Sequence, residues 1–137
     1  MSIQLDKVQP KNRVQLEQLI DYAFKHNIYD LNFIDTSKIT DMSELFEDVK
    51  HNFDISGWDV SNVTAMKFMF YFCVNFNCDL SSWDVSNVTD MNHMFCCCNN
   101  FKGKGLDHWN LQSLIYSYCM FYGCDKNIIP SWYKSNV

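Results

Sequence analysis

The chain has 137 residues, of which 47% are hydrophobic and 16% aromatic, and its formal net charge at pH 7 is −5. This length predicts one domain with a sizeable core. The acidic charge, with eleven Lys and Arg scattered along the chain, disfavours nucleic acid as a partner. No apolar run reaches the roughly 18 residues that a membrane span needs, so none is predicted.

The N-terminal residues, MSIQLDKVQPKNR, lack the charged start and the apolar run of a secretory signal peptide. The seven Cys are an odd number, and three of them are adjacent at positions 96–98, where they pair poorly with one another. The sequence on its own therefore predicts a cytoplasmic protein with free thiols.

The first predicted element is an amphipathic helix in NRVQLEQLIDYAFKHN, with Asn12 as its N-cap. Its apolar residues fall on one face. They are Leu16, Leu19, Ile20, Ala23 and Phe24. We expect this helix, within an N-terminal unit of residues 1–30, to cover the open end of the segment that follows.

Residues 31–124 contain four copies of a repeat of about 25 residues, and the heptapeptide WDVSNVT occurs at 58–64 and again at 83–89. The copies align on Ser37, Ser61, Ser86 and Gln112. Each copy begins with a pattern such as Leu80-x-x-Trp83-x-Val85, which is the spacing of the short strand in leucine-rich repeats. An apolar stripe follows, with the spacing of a helix or 3₁₀ segment. In the third copy it is Val88, Met91, Met94, Phe95 and Cys98.

Strand and helical segment therefore alternate, and neither buries its apolar face alone. The sequence predicts an α/β solenoid, a leucine-rich-repeat-like stack of about four short strand–helix (or 3₁₀) coils with the N-terminal helix as a cap. Residues 125–137, which include Trp132, are predicted to form a partial last copy or a cap. Aromatic ladders through the core are expected from Trp58, Trp83, Trp109, Phe46, Phe70, Phe95 and Phe121.

Asp35, Asp59 and Asp84 align in one column, with Asn110 in the fourth copy. Carboxylates stacked about 4.8 Å apart would repel one another. We expect each Asp to accept hydrogen bonds from backbone N–H groups two residues on, in an Asx-turn that Asn can also make. The alternatives are a bridging Ca²⁺ ion or an acidic stripe that meets a basic partner.

The positions of the cysteines favour a role in core packing over a reactive or metal-binding role. Cys73, Cys98 and Cys124 share a column with Val49, which indicates a site for a small apolar group. A metal site built from Cys78, Cys96, Cys97, Cys98 and Cys119 is the alternative, but its C-x₄-C pairs are a weak zinc signal. Helical spacing would also place Cys96 and Cys97 on different sides. We therefore predict no metal site and no cofactor.

Residues that differ between copies are the candidates for partner binding. Those singled out are Lys67, Phe68, Tyr71, Phe72, Asn92, His93, Tyr116, Tyr118 and Tyr122. They are strongly aromatic, as interface hot spots are; the alternative is packing beneath the flanking helix or the C-terminal tail. No phosphate-binding, dinucleotide-binding, nucleophile-elbow or zinc-protease motif occurs, so an enzyme is not expected.

The segments DTSKITDMSELF, DISGWDVSNVTAMKFMF and NCDLSSWDVSNVTDMNHMF resemble the BspA-like leucine-rich-repeat family, the repeats of mycoplasma-type lipoproteins and other bacterial surface proteins. The resemblance covers Leu31 to about Cys124. It implies a right-handed solenoid, a location at the cell surface, and adhesion or protein binding, with no shared catalytic residues. This chain has fewer copies than many adhesins and no recognisable leader.

The function expected from these observations is a non-catalytic protein–protein interaction module with a rigid repeat surface. One alternative is a small inhibitor of an enzyme, either intracellular or encoded by a phage or mobile element. The other is a metal-binding or thiol-redox protein that uses the cysteine cluster.

Overall fold

The computed structural model describes residues 6–134. The ends of the predicted terminal units, residues 1–5 and 135–137, lie outside the described residues. The described part of the chain contains one α-helix, α1 (Arg13–Lys25), and two short 3₁₀ helices, Leu106–His108 and Lys126–Ile128. It contains no β-strand, only isolated parallel bridges between copies, such as those that join Ala65 to Asp41 and to Asp90.

The predicted α/β solenoid of leucine-rich-repeat strand–helix coils is therefore wrong. The segments expected to be strands and helices are turns and irregular backbone. The repeat itself remains visible, because recurring residues of successive copies contact one another at matching positions. What differs is the backbone that carries these residues, and the reason lies in its hydrogen bonds.

Helix α1 follows from its sequence. The Oδ1 atom of Asn12 accepts a hydrogen bond from the N–H of Gln15 (3.0 Å), which caps the first turn. Three apolar side chains at helical spacing are buried: Leu16, Ile20 and Ala23. After Lys25 the backbone turns through Asn27, whose φ of +57° is left-handed. The helix and N-cap predicted from the sequence are confirmed.

Each copy contains a turn segment: residues 42–49, 66–73, 91–98 and 117–124. Two kinds of backbone hydrogen bond alternate along it. The N–H of Leu45 donates to the carbonyl of Met42 within its own turn (3.3 Å), whereas the N–H of Phe46 donates to Met69 in the next copy (3.0 Å). In the first three turn segments every second N–H crosses to the following copy, at 2.7–3.0 Å. In each of these segments four donors cross to the next copy and most of the others are used locally. This pattern is neither that of an α-helix nor that of a strand ladder.

Two positions in each turn segment have a left-handed backbone. They are Glu44 and Asp48, Phe68 and Phe72, His93 and Cys97, and Cys119 and Gly123. A left-handed residue with a side chain costs roughly 1–2 kcal/mol. In the first three copies each of these residues donates its N–H to the next copy, which offsets that cost.

The core is a column of phenylalanine rings that runs through all four copies. Neighbouring rings in the column are 5.4–5.9 Å apart and nearly parallel, at 2–10°. Its members are Phe46, Phe70, Phe95 and Phe121. A second column, Phe53, Phe76 and Phe101, packs against the first with ring centroids 4.2–4.6 Å apart. Full burial of each ring contributes about 1.5–3 kcal/mol to the free energy of unfolding.

The tryptophans connect each copy to the one before it. The Nε1–H of Trp83 donates to the carbonyl of Ile55 (3.1 Å), and its ring lies nearly parallel to that of Trp109, at 4°. The same bond, at 2.9–3.1 Å, runs from Trp58 to Leu31, from Trp109 to Leu80 and from Trp132 to Leu106. The indole thus fills the core and also satisfies a carbonyl of the preceding copy.

Helix α1 packs against the first copy. The ring of Phe24 lies 6.4 Å from that of Phe46 and 5.9 Å from that of Phe53. The guanidinium of Arg13 donates to the carbonyl of Asp41 (3.3 Å) at the edge of the same copy. Among residues 6–134, no helix has the length and apolarity needed to cross a bilayer.

Replacing Phe95 tests the phenylalanine column. Phe95 is fully buried between Phe70 and Phe121, so we expect Phe95→Ala to lower the free energy of unfolding by about 3–5 kcal/mol, through lost burial and the cavity left behind. Urea unfolding followed by tryptophan fluorescence measures the change. The control is Tyr122→Ala, whose side chain is 69% exposed and whose loss should change stability by less than about 0.5 kcal/mol. Equal midpoints for the two variants would contradict this packing.

Candidate functional site

The turn segments divide their side chains between the core and one outer surface. In the second copy Met66, Met69 and Phe70 point inward and are fully buried, while Lys67 and Phe72 are exposed. Repetition of this division places aromatic side chains from three copies side by side. We call this surface the aromatic face. It consists of Phe68, Tyr71, Phe72, His93, Tyr118 and Tyr122.

The rings of the aromatic face contact one another. Phe68 stacks on His93 with centroids 4.6 Å apart and planes at 9°, and it meets Tyr71 edge-on at 5.2 Å. Tyr71 in turn contacts Phe72 at 4.7 Å, and His93 contacts Tyr118 at 5.6 Å. These edge-to-face and stacked contacts hold the rings in place before any partner binds.

A shallow cavity of about 290 Å³ lies in this face. Tyr118 and Tyr122, 54% and 69% exposed, stand at its fourth-copy side. The full lining is Tyr71, Phe72, His93, Cys96, Cys97, Tyr118, Cys119 and Tyr122. The cavity therefore offers mostly apolar surface with phenol, imidazole and thiol groups at its walls.

Four of the residues predicted for partner binding lie outside this cavity, and of these Phe68 stacks on His93 at its edge. Asn92 has a structural role, because its Oδ1 accepts the N–H of Tyr118 (2.7 Å) and its own N–H donates to Asp90 (2.9 Å). Tyr116 is 56% exposed and forms the backbone bridge to Asp90. Lys67 is exposed, and its carbonyl accepts the N–H of Glu44.

The residues predicted for partner binding did not include Cys96, Cys97 and Cys119, although Cys96 and Cys97 occupy columns that differ between copies. The argument that Cys96 and Cys97 lie on different sides is wrong, since their Sγ atoms are 3.7 Å apart and both line the cavity. It assumed a helix, whereas the left-handed backbone at Cys97, with φ +63°, turns its side chain toward its neighbour. The alignment did contain a signal for Cys119, which occupies the column of Phe68 and His93.

Carboxylates border the first-copy end of the face. Glu44, Glu47 and Asp48 line a second, more open cavity of about 690 Å³ together with Tyr71 and Phe72. An ammonium group already lies at this border: Lys50 pairs with Asp48, and its Nζ is 5.9 Å from the centre of the Phe72 ring. Acidic oxygens beside aromatic rings are a favourable setting for a cationic side chain.

The recurring cysteines act differently from those of the cavity. Cys73, Cys98 and Cys124 each donate the thiol hydrogen to a phenylalanine carbonyl of the preceding copy, with an S···O distance of 2.9 Å. Burial raises the pKa of Cys73 to about 12 and that of Cys124 to about 11, and it also raises the pKa of Cys98. These thiols stay protonated and are structural donors, which the comparison with Val49 did not predict.

All seven thiols are free. Within residues 6–134, no group of three or more His, Cys, Asp and Glu side chains is arranged to hold a metal ion.

The aligned aspartates make turns. The Oδ1 atoms of Asp35, Asp59 and Asp84 each accept the backbone N–H two residues on, at 3.0 Å, and Asn110 does the same at 3.1 Å. In the middle two copies the Ser hydroxyl donates to the same carboxylate. Hydrogen bonds from the Ser86 side chain and then from its N–H lower the pKa of Asp84.

Comparison with known proteins shows the family. The family described as "Mycoplasma protein of unknown function, DUF285" matches residues 14–132. The chain belongs to this family. The match begins within α1 and extends over all four turn segments, so every residue of the aromatic face lies inside it. Comparison with curated proteins and with solved structures gave no match.

Alkylation distinguishes the two kinds of cysteine in this DUF285 chain. Under native conditions we expect iodoacetamide to modify the half-buried Cys97 and Cys119 well before the fully buried Cys73 and Cys98, because only accessible thiols that can ionise react. Peptide mass spectrometry over a time course gives the order. Unfolding in urea should make all seven react at similar rates, and early modification of Cys98 would contradict the thiol–carbonyl bonds.

Substitutions at Asp84 test the turn column. Asp84→Ala removes the acceptor for the Ser86 N–H and hydroxyl and should lower the free energy of unfolding by about 0.5–1 kcal/mol at neutral pH. Asp84→Asn keeps a side-chain oxygen that can accept the Ser86 N–H, as Asn110 does in the fourth copy, and should lower the free energy of unfolding by less.

The pH dependence of the same variants follows from the lowered pKa of Asp84. Because the carboxylate is favoured in the folded state, its contribution is present above the unfolded-state pKa of about 3.9 and disappears as the pH falls through the lower folded-state value. Urea unfolding at about pH 6 and about pH 3 should therefore show a smaller loss on acidification for Asp84→Asn than for the wild type. An identical loss in both proteins would show that Asp84 does not contribute.

Proposed function

We propose that the protein is a non-catalytic protein-binding module and that the aromatic face is its contact surface. The single observation that carries this proposal is the concentration of exposed rings around one cavity. Phe72, Tyr118 and Tyr122 are 40%, 54% and 69% exposed there, although the phenylalanines of the adjacent core are fully or almost fully buried. Tyr is among the residues most enriched at interface hot spots.

The backbone under this face supports the proposal. The segment that carries Tyr71 and Phe72 is bonded through alternate N–H groups to the segment that carries His93, and that one in turn to the segment of Tyr118 and Tyr122. A surface held in this way loses little conformational entropy when a partner binds. The residues that face inward recur between copies, whereas those that face outward differ, so the surface can be specific for one partner.

Charge indicates the chemistry of that partner. The first-copy end of the face carries Glu44, Glu47 and Asp48, and of these Asp48 pairs with Lys50. We infer that the partner brings Arg or Lys to this end and an apolar or aromatic group to the cavity. The resemblance to the BspA-like repeats of bacterial surface proteins agrees with such a role and suggests adhesion as its setting.

The test uses gentle capture in reducing buffer from extracts of the cells that produce the protein, followed by native mass spectrometry. We expect a partner of defined mass with the wild type. The variant Tyr118→Ala/Tyr122→Ala should weaken this binding by about 30-fold or more, since the loss of even one hot-spot ring costs about 2 kcal/mol of binding free energy. Glu44→Gln/Glu47→Gln should weaken it less and reduce its dependence on salt.

The matched control is Tyr22→Ala, which removes a tyrosine that is 58% exposed on α1, away from the face. Its binding should equal that of the wild type, and thermal unfolding should show that all variants remain folded. Capture of the same partner by the double tyrosine variant with unchanged affinity would exclude the aromatic face, and a lack of any bound protein would argue against the binding function.

A further inference from the structure

The repeat does not require thiols at positions 96 and 97. In the two columns that hold Cys96 and Cys97, the other copies carry charged, aromatic or glycine residues. These are Glu47 and Asp48, Tyr71 and Phe72, and Tyr122 and Gly123. The thiols of Cys73, Cys98 and Cys124, in contrast, recur in one column and donate to carbonyls of the preceding copy. The packing of the repeat therefore does not account for the adjacent pair.

The two adjacent thiols meet in the wall of one cavity. The Sγ atoms of Cys96 and Cys97 lie 3.7 Å apart, and both side chains line the cavity of about 290 Å³ in the aromatic face. Cys97 is partly exposed, whereas only 5% of Cys96 is exposed. A reagent that enters the cavity therefore reaches the sulfur of Cys97 more easily and then finds a second sulfur beside it.

The pair is poorly placed to form a disulfide. The peptide bond between the two residues is trans, which holds their Cα atoms about 3.8 Å apart. A disulfide usually needs Cα atoms about 4.4–6.8 Å apart, so a bond between these sulfurs would strain the backbone. A single atom that bonds to both sulfurs needs a wider separation. Zinc–sulfur bonds of about 2.3 Å at a tetrahedral centre, for comparison, place two sulfurs about 3.8 Å apart. The observed separation of 3.7 Å is close to this value.

We propose that Cys96 and Cys97 form a dithiol site for a trivalent organoarsenical, R–As=O, whose arsenic atom bonds to both sulfurs. The first thiol adds across the As=O bond and gives R–As(OH)–S. The second thiol displaces the hydroxyl group, which leaves with the thiol hydrogen as water. Two S–H bonds and one As=O bond are thus exchanged for two As–S bonds and the two O–H bonds of one water molecule. Arsenic stays trivalent, so the reaction needs no oxidant or reductant.

The surroundings of the pair favour this neutral product. Burial, followed by the adjacent thiol of Cys97, raises the pKa of Cys96. A thiol that stays protonated reacts slowly with reagents that need the thiolate. The arsenic adduct of two thiols carries no charge, so a half-buried setting does not disfavour it. The rings of Tyr71, Phe72 and Tyr118 line the same cavity and offer an apolar surface to the substituent R.

Two sulfurs on one fixed segment hold the arsenic more tightly than one sulfur does. After the first As–S bond forms at Cys97, the second bond is intramolecular, and the effective concentration of the Cys96 thiol is in the millimolar range or above. A monothiol in solution must replace both bonds in separate steps. A small dithiol supplies two linked sulfurs of its own and competes on equal terms.

The experiment uses the whole reduced chain and phenylarsine oxide as the probe. After gel filtration in an excess of 2-mercaptoethanol, native mass spectrometry should show one phenylarsenic group per chain, added with the loss of one water molecule. An excess of 1,2-ethanedithiol should remove it. The measurement needs no protein partner, so its outcome does not depend on the proposed binding function.

Two variants leave a single sulfur at the site. Cys96→Ser and Cys97→Gly should each weaken retention of the probe by about 100-fold or more, because the second As–S bond is lost. Glycine occupies the column of Cys97 in the fourth copy and adopts the same left-handed backbone, so Cys97→Gly should fold. The matched control is Cys119→Ser, which removes another thiol of the cavity and should retain the probe as the wild type does.

Several results would overturn the proposal. Loss of the probe from the wild type in monothiol buffer would show that no second sulfur holds the arsenic. Retention by Cys97→Gly at the wild-type level would place the arsenic elsewhere. Equal loss from Cys119→Ser and Cys97→Gly would assign the site to a different pair of sulfurs. Thermal unfolding of each variant verifies that it is folded, and if Cys96→Ser is not, the comparison of Cys97→Gly with Cys119→Ser decides.

Discussion

The whole structure depends on how the turn segments divide their backbone N–H groups. One donor closes the local turn, the next crosses to the following copy, and the pattern repeats along each segment. This alternation fixes the register between copies, because a shift of one residue would put local donors opposite the neighbouring carbonyls. It also explains the left-handed residues. Their backbone strain occurs at positions whose N–H donates to the next copy, and that hydrogen bond offsets the strain.

Side chains reinforce the same register from the inside. A tryptophan N–H and, in three copies, a thiol each donate to a carbonyl of the preceding copy, so the core residues are hydrogen-bond donors as well as apolar groups. The phenylalanine column fills the space between them. In the heptapeptide WDVSNVT the tryptophan and valines are buried, the aspartate and serine form the turn, and the amides of Asn62 and Asn87 donate to serine carbonyls of the preceding copy (2.7 Å). The side chains of Lys67, Phe72, Tyr118 and Tyr122 are exposed and take no part in these contacts of the core.

Part of the fold was predictable from the sequence. Helix α1 has a capping Asn12 and a regular apolar face, and the spacing of the copies showed which residues would meet. The strand–helix coils were wrong because the apolar offsets of a helix also suit a chain of turns. Left-handed residues are usually recognised by Gly or Asn, whereas here Phe68, Phe72 and His93 adopt this conformation under the influence of the neighbouring copy. For the same reason the contact between Cys96 and Cys97 in the cavity could not be foreseen.

The direction of the bonds between copies has a consequence for synthesis. In the first three turn segments alternate amides donate to the copy that follows in the chain, and that copy leaves the ribosome later. During synthesis, the last completed copy therefore has backbone donors whose acceptors have not yet been synthesised. Helix α1 and the first copy can already pack together at that stage. The direction of these bonds favours folding from α1 outward, since each completed copy presents the donors that the next one needs.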